Sequence, residues 1–355
     1  MPALVDRHGR LHTYLRVSVT DRCNFRCVYC MPAEGHVWLP REDVLSHEEI
    51  VRIVRVMAGA GLRRVRLTGG EPLLRRGLVH LVEAIASVPG IDDVSLTTNA
   101  FGLAELAAPL KSAGLSRVNI SIDSLDEARF SRLTRGGRLP AVLDGIRAAH
   151  EARLGPVKLN MVVMRGENVD EVASLAAACL PGGVLGPPVG TDDETVLRYI
   201  EYMPFAPAPG EVGRWHQNVP AKELRALLAE KGTLTADGPS ARPLPGVGPA
   251  TYAKWTPSGS ESSLRVGFIA PLTEHFCARC NRLRLLVDGH LRTCLGYEDT
   301  PSLRDALRGL PGRTGATDEE LLALIAGIVQ GKPAGHTAET EGGKSFEGVM
   351  TSIGG

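Results

Sequence analysis

Between residues 15 and 203, short β-branched runs alternate with longer segments of helical period. The runs occupy residues 15–20 (LRVSVT), 65–68 (VRLT), 94–98 (VSLTT), 118–122 (VNISI), 157–163 (VKLNMVV) and 196–203 (VLRYIEYM). Ser46 and Glu49 have capping-box spacing, and the apolar residues that follow, Ile50, Ile53, Val54 and Met57, share one helical face. Further amphipathic segments fall near residues 75–88, 103–112, 140–152 and 168–179. Alternating strands and helices predict a parallel sheet with crossover helices. Six units are too few for an eight-fold barrel, so the α/β fold expected is a partial, TIM-like (βα)6 barrel, with a doubly wound sheet as the alternative. The strand ends favour the barrel. They carry Thr20-Asp21, Thr68-Gly69-Gly70, Thr97-Thr98-Asn99, Ser121-Ile122-Asp123, Asn160 and Glu201-Tyr202-Met203, and in barrel enzymes the strand C-termini line the active site.

After Met203 the texture changes. Residues 204–260 are rich in Pro and Gly, with one helical segment near 221–231. Residues 266–270 (VGFIA) read as a strand, and 282–295 as a hairpin turning at Asp288-Gly289. Helical stretches near 301–309 and 317–330 follow, the second opened by a capping box of Thr317 and Glu320. The domain expectation is a barrel over 1–203, a C-terminal α+β extension over 204–340 and a Gly-Gly tail over 341–355. Residues 181–195 look like an inserted surface loop.

Composition narrows the function. The 355 residues carry 40 basic and 40 acidic side chains and 43% hydrophobic residues. That balance suits a globular core and argues against a bulk nucleic-acid binder. The N-terminus has no apolar signal region, and the apolar stretch around 172–180 is too short to span a bilayer. A cytoplasmic, membrane-free protein is expected. In that compartment thiols stay reduced, and grouped cysteines read as metal ligands.

Six of the seven cysteines are grouped. Cys23, Cys27 and Cys30 form C-x3-C-x2-C after the first strand, and Cys277, Cys280 and Cys294 form C-x2-C-x13-C around the hairpin. Cys179, among alanines, reads as core. Three thiolates suit an iron–sulfur cluster with one iron left open to a ligand. Zinc completed by a fourth ligand, such as His36 at the first group or His275 at the second, is the alternative. Arg282 and Arg284 stand beside the second group on one strand face, with the geometry that recognises phosphate. A Walker loop is lacking: Gly342-Gly343-Lys344-Ser345 has Ala338 where the motif needs glycine.

The string Thr20–Cys30 (TDRCNFRCVYC), followed by Gly69-Gly70-Glu71-Pro72, resembles the radical SAM signature. With VRLTGGEPLLRR, TTN, INISIDSLD, VKLNMVVMRG, RYIEYMP, FCARCNRLRL and the terminal IGG, nearly the whole chain is similar to the GTP 3′,8-cyclase family of molybdenum cofactor biosynthesis. The resemblance implies a lyase with two 4Fe-4S clusters, one on each cysteine group. The first cluster would cleave S-adenosylmethionine (SAM), and the second would bind the guanine end of GTP. It assigns Tyr29, Gly70, Ser121 and Met203 to SAM. Arg16, Arg66, Thr97, Lys158, Arg282, Leu283 and Arg284 are assigned to GTP, Arg282 and Arg284 also to the catalytic set. The 5′-deoxyadenosyl radical would take hydrogen from the ribose C3′, and bonding to C8 would yield 3′,8-cyclo-7,8-dihydro-GTP. Implied partners are a reducing electron donor and cyclic pyranopterin monophosphate synthase as the next enzyme. A homodimer is carried as an expectation with no motif behind it. Two departures stand out: Ala100 replaces the glycine usual after TTN, and residues 181–195 are inserted. Two rivals stay open on the residues alone, a peptide-acting two-cluster radical SAM enzyme and a non-catalytic protein with two zinc knuckles.

Overall fold

The computed structural model describes residues 3–191, 194–206, 214–237, 248–296, 300–309, 314–336 and 346–347. Of the expected 341–355 tail only Phe346 and Glu347 fall within them, and its terminal Gly-Gly and the Gly342–Ser345 string lie outside.

Six strands follow one another in chain order: β1 (Tyr14–Ser18), β2 (Arg64–Thr68), β3 (Asp93–Thr98), β4 (Arg117–Ser121), β5 (Val157–Val163) and β6 (Thr195–Glu201). They pair in parallel with the spatial order unreversed. A doubly wound sheet reverses its order at a switch point, so the partial barrel is the fold found. The crossovers carry α1 (His47–Gly59), α2 (Leu78–Ala86), α3 (Leu103–Ser112), α4 (Glu127–Thr134), α5 (Leu139–Glu151) and α6 (Val172–Ala178). The hydrophobic period does not separate helix α4, capped by Asp126 and burying Phe130 and Leu133, from its surroundings. Its eight residues span barely two turns, too few for a period to register.

The C-terminal part lengthens this sheet at both edges. After β7 (Phe205–Ala206) and α7 (Ala221–Lys231) come β8 (Gly232–Ala236), β9 (Thr251–Pro257) and β10 (Leu264–Ile269). Strand β10 lies parallel to β6, with β9 and β8 antiparallel beyond it. The hairpin of β11 (Arg282–Leu285) and β12 (Leu291–Arg292) reaches the opposite edge, where β11 lies parallel to β1. Eleven strands thus form one open sheet, ordered β12-β11-β1-β2-β3-β4-β5-β6-β10-β9-β8. Helices α8 (Leu303–Arg308) and α9 (Asp318–Gln330) close the chain's helical layer, and β13 (Phe346–Glu347) pairs with β7. Both expected capping boxes are present, Ser46 with Glu49 on α1 and Thr317 with Glu320 on α9.

Strand alternation sorts the two faces of the sheet. Leu15, Val17, Val65, Leu67, Leu283 and Leu285 are fully buried in the main apolar core. Their neighbours Arg16, Arg66, Arg282 and Arg284 face the opposite side, into the barrel. The inserted loop is tied back at Leu185, which is buried and donates its N–H to the Ala178 carbonyl at 2.9 Å, while Val184 and Val189 stay exposed. No helix among the described residues is long and apolar enough to cross a membrane.

Candidate functional site

A cleft of about 330 Å³ runs through the barrel, lined from the strand C-termini (Thr68, Thr98, Ser121) to the strand starts (Tyr14, Arg64, Arg117). Every site residue named from the sequence lines it except Leu283. That side chain is fully buried on the other face of β11, because alternation turns Leu283 away whenever Arg282 and Arg284 turn inward. Leu283 therefore has only its main chain to offer.

Cys23, Cys27 and Cys30 sit at one end, on the loop after β1. The Phe25 N–H donates to Cys23 Sγ at 3.4 Å, and the Cys30 N–H donates to the Cys27 carbonyl at 2.9 Å. Burial pushes the Cys23 thiol up to about 11, with the Glu71 carboxylate adding to the rise. Burial, then the neighbouring Cys30, Asp123 and Cys23, push Cys27 up as well. These thiols hold their protons until a metal displaces them.

The loop after β2 lies against this cysteine loop. Gly70 donates its N–H to Thr20 and Glu71 to Arg22, both at 2.7 Å. A Cβ on Gly69 would stand 2.2 Å from the Thr20 carbonyl oxygen, and one on Gly70 2.2 Å from that of Arg22. Only glycine permits that approach, and Gly69 also needs its positive φ of 143°. Glu71 is buried and accepts from Leu73 N–H (3.1 Å), Asn99 N–H (2.7 Å) and Thr98 Oγ1 (2.6 Å). Burial pushes its carboxyl up to about 7 despite these three donors. It thereby ties the glycine loop to the end of β3. There Ala100 takes a left-handed φ of 60°, which costs a non-glycine residue about 1–2 kcal/mol. Asp123 does the same work for the cysteine loop. It accepts from Tyr29 Oη and from the Val162 N–H, each at 2.8 Å, and burial pushes it up to about 6.

Cys277, Cys280 and Cys294 stand at the other end, on a short turn and just beyond β12. Buried Lys332 donates Nζ to the Arg282 carbonyl at 2.8 Å and to that of Thr293. Arg10, anchored on Asp6, donates Nη1 to the carbonyls of Cys277 (2.8 Å) and Ala334 (2.9 Å). At Cys280, burial is outweighed by Arg282 and Lys332, which bring the thiol down to about 7.

Between the two ends lies a layer of cations. Sheet register sets Arg16 beside Arg66 on one side and Arg284 on the other. Lys158, Arg117 and Arg198 complete the layer. Arg117 pairs with Asp93, its Nη2 at 2.5 Å from Oδ2. Arg198 donates to Asn160 at 2.9 Å and Asn119 at 3.0 Å. Burial, then Arg198, Arg117 and Arg66, bring Lys158 down to about 6. Burial lowers Arg16 and Arg66 also, and takes Arg198 and Arg284 to about 10. So many cations crowded at depth repel one another, and a polyanion in the cleft relieves that repulsion. Sequence reasoning misses Arg198 and Arg117, although an arginine inside an apolar parallel strand is a readable signal. Gly267, opposite Arg198 on β10, is another: a Cβ there would stand 2.8 Å from the Tyr252 ring and 3.0 Å from Arg198 Cγ.

Two strand-end carboxylates serve the scaffold instead. Asp21 accepts from the Leu39 N–H at 2.7 Å. Glu201 accepts from the N–H groups of Ala221, Leu272 and Thr273 at 2.9, 3.1 and 3.2 Å.

Single-ion zinc sites need closer donors than either cysteine group provides. Zn–S bonds of about 2.3 Å in a tetrahedron put ligand sulfurs about 3.8 Å apart. Among the described residues, the one set of three such donors gathered within 4.8 Å is His275, Cys277 and His336. The three thiols of the first group, with the glycine loop packed beside them, suit an iron–sulfur core.

The Radical SAM superfamily profile matches residues 17–179, and the Molybdenum Cofactor Synthesis C profile matches residues 195–338. A "GTP 3′,8-cyclase" of Listeria monocytogenes (serotype 4b) is 39% identical over the full length of both chains. The relative of that name from Heliobacterium modesticaldum is 43% identical over 99% of this chain and all of its own. "GTP 3′,8-cyclase 1" of Pseudomonas aeruginosa is 42% identical over 99% of each. Among solved structures, Streptococcus suis SuiB bound to S-adenosylmethionine superposes with a TM-score of 0.54 at 15% identity, covering 92% of this chain and 69% of that one. At that identity the likeness is one of fold alone.

Proposed function

This chain belongs to the GTP 3′,8-cyclase family of the radical SAM superfamily, and from that premise we propose how its own residues divide the work. Cys23, Cys27 and Cys30 hold the 4Fe-4S cluster that the family uses with SAM. Tyr29, Gly70, Ser121 and Met203 seat SAM beside it. Cys277, Cys280 and Cys294 hold a second 4Fe-4S cluster at the guanine end of GTP. Arg16, Arg66, Lys158, Arg198, Arg282 and Arg284 hold the triphosphate, with Thr97 beside them. When bound, the first cluster supplies the electron that SAM cleavage consumes.

The observation that carries this reading is the buried cation layer lying between two cysteine groups in one cleft. Its charges do what a Walker loop does elsewhere, neutralising the triphosphate in a site that excludes bulk water. An arriving anion also restores the proton on Lys158, since a nearby opposite charge favours the charged form. Asp123 and Glu71 act indirectly, holding Tyr29 and the glycine loop in position. On this reading the barrel over 1–203 cleaves SAM and supplies most of the triphosphate-binding cations, and the 204–340 extension holds the guanine end of GTP. The chain works in the cytoplasm with a reducing electron donor, ahead of cyclic pyranopterin monophosphate synthase.

The test is anaerobic reconstitution with iron and sulfide, then SAM, dithionite and GTP, with products identified by mass spectrometry. Joint appearance of 5′-deoxyadenosine and 3′,8-cyclo-7,8-dihydro-GTP supports the assignment. 5′-Deoxyadenosine without a GTP product overturns the substrate assignment, and failure to load iron overturns the cluster assignments.

Gly70→Ala probes the cradle. The added methyl collides with the Arg22 carbonyl and pushes the glycine loop off the cysteine loop. A misplacement of about 1 Å costs about 100-fold in rate, so SAM cleavage is expected to fall by that order. Iron content should stay unchanged.

A further inference from the structure

Cys277 has neighbours that a cluster does not require. His275, Cys277 and His336 place their donor atoms within 4.8 Å of one another, a single-ion spacing. His336 Nε2 is 2.9 Å from the Pro271 carbonyl oxygen. A carbonyl can only accept, so Nε2 carries a proton and ligation by this ring runs through Nδ1. The rings of His275 and His336 are 5.0 Å apart and tilted by 54°, not stacked face to face.

The two segments are also built together. A Cβ on Gly335 would stand 3.4 Å from Cys277 Cβ and 3.5 Å from its sulfur, so the chain carrying His336 runs directly against the thiol. Arg10 grips both segments, donating to the carbonyls of Cys277, Pro333 and Ala334. His275 is exposed and gives an ion its way in.

We propose that His275, Cys277 and His336 form a mononuclear site for a zinc-type divalent cation, mutually exclusive with the second cluster because Cys277 serves both. One thiolate and two imidazoles are a borderline-soft set that suits zinc, with water at the fourth position. Binding releases the Cys277 thiol proton. The exclusivity rests on the cluster assignment proposed above; the cation site does not. A chain holding zinc here still cleaves SAM but lacks a ligand of its second cluster, so it turns over no GTP.

The test uses the full chain, metal-free and anaerobic, in a Cys23→Ala/Cys27→Ala/Cys30→Ala background that removes the first cysteine group. Cobalt(II) is titrated as the spectroscopic probe. One equivalent is expected to give a sulfur-to-cobalt charge-transfer band and intense tetrahedral visible bands, both displaced by zinc. His275→Ala and His336→Ala should each weaken binding by more than the roughly 100-fold that losing a ligand's hydrogen-bond partner can cost, whereas Cys294→Ala should leave the bands in place. Loss of the bands in Cys294→Ala with both histidine variants unchanged would identify a three-cysteine site and overturn the proposal. So would an absence of binding in a chain of native circular dichroism.

A second measurement separates the two readings. Wild type preloaded with zinc and then given iron and sulfide should take up one cluster's iron less than the zinc-free chain, and His336→Ala should abolish that deficit. An unchanged iron uptake beside an intact cobalt site would overturn the exclusivity, and with it Cys277 as a cluster ligand, while leaving the cation site standing.

Discussion

Cys23→Ala is expected to reduce 5′-deoxyadenosine formation to the background of the iron-free chain. Cys23 is one of three thiols on the loop after β1, with the Gly69-Gly70 loop packed against that same loop. Two thiolates do not hold a 4Fe-4S cluster that already lacks one protein ligand, so its iron should leave and SAM should lose its electron source. Iron content should drop by one cluster's worth, because the group of Cys277, Cys280 and Cys294 is untouched. The control is Cys179→Ala. Cys179 is buried in the apolar core and donates Sγ–H to the Leu175 carbonyl, remote from the cleft. It should lose a little stability and no SAM cleavage. Retained cleavage in the Cys23 variant would overturn the first cluster assignment.

Arg284→Ala is expected to lower kcat/KM for GTP by ~10²–10³-fold, or about 2.7–4 kcal/mol of lost transition-state stabilisation. Arg284 lies deep in the cleft beside Arg16, where burial and Arg282 lower its pKa to about 10. A charge held that far from bulk water acts strongly on a phosphate, which is why the expected loss exceeds that of a surface contact. Iron content should be unchanged. Arg284→Lys should recover only part of the loss, because a point charge cannot reproduce two parallel hydrogen bonds. Unchanged GTP kinetics in the alanine variant would remove the residue from the substrate site.

Much of the site is legible in the chain itself. Both cysteine groups and the Gly-Gly-Glu-Pro string are compact in sequence, so the loop geometry they need is local. Arg282 and Arg284 are readable for the same reason: two residues apart on a strand, they share a face. Leu283, expected from the resemblance to sit with them, stands on the opposite face. Glu71 and Asp123 give no local sign of their roles, because their partners Thr98, Asn99, Tyr29 and Val162 come from other strands and loops. His336 is invisible likewise, lying 59 residues from Cys277 along the chain.

By itself, the sequence determined the six strands and their βα succession, the capped starts of α1 and α9, and the cysteine groups, while the unreversed order of the strands came from their pairing. Hydrophobic period, side-chain capping and short ligand spacing are all properties of neighbouring residues. Tertiary structure alone decided that β10 and β11 extend the two edges of the barrel sheet, bringing the second cysteine group to face the first across one layer of cations. Which strand joins which edge depends on unpaired backbone groups of segments far apart in the chain, and no local pattern encodes that meeting.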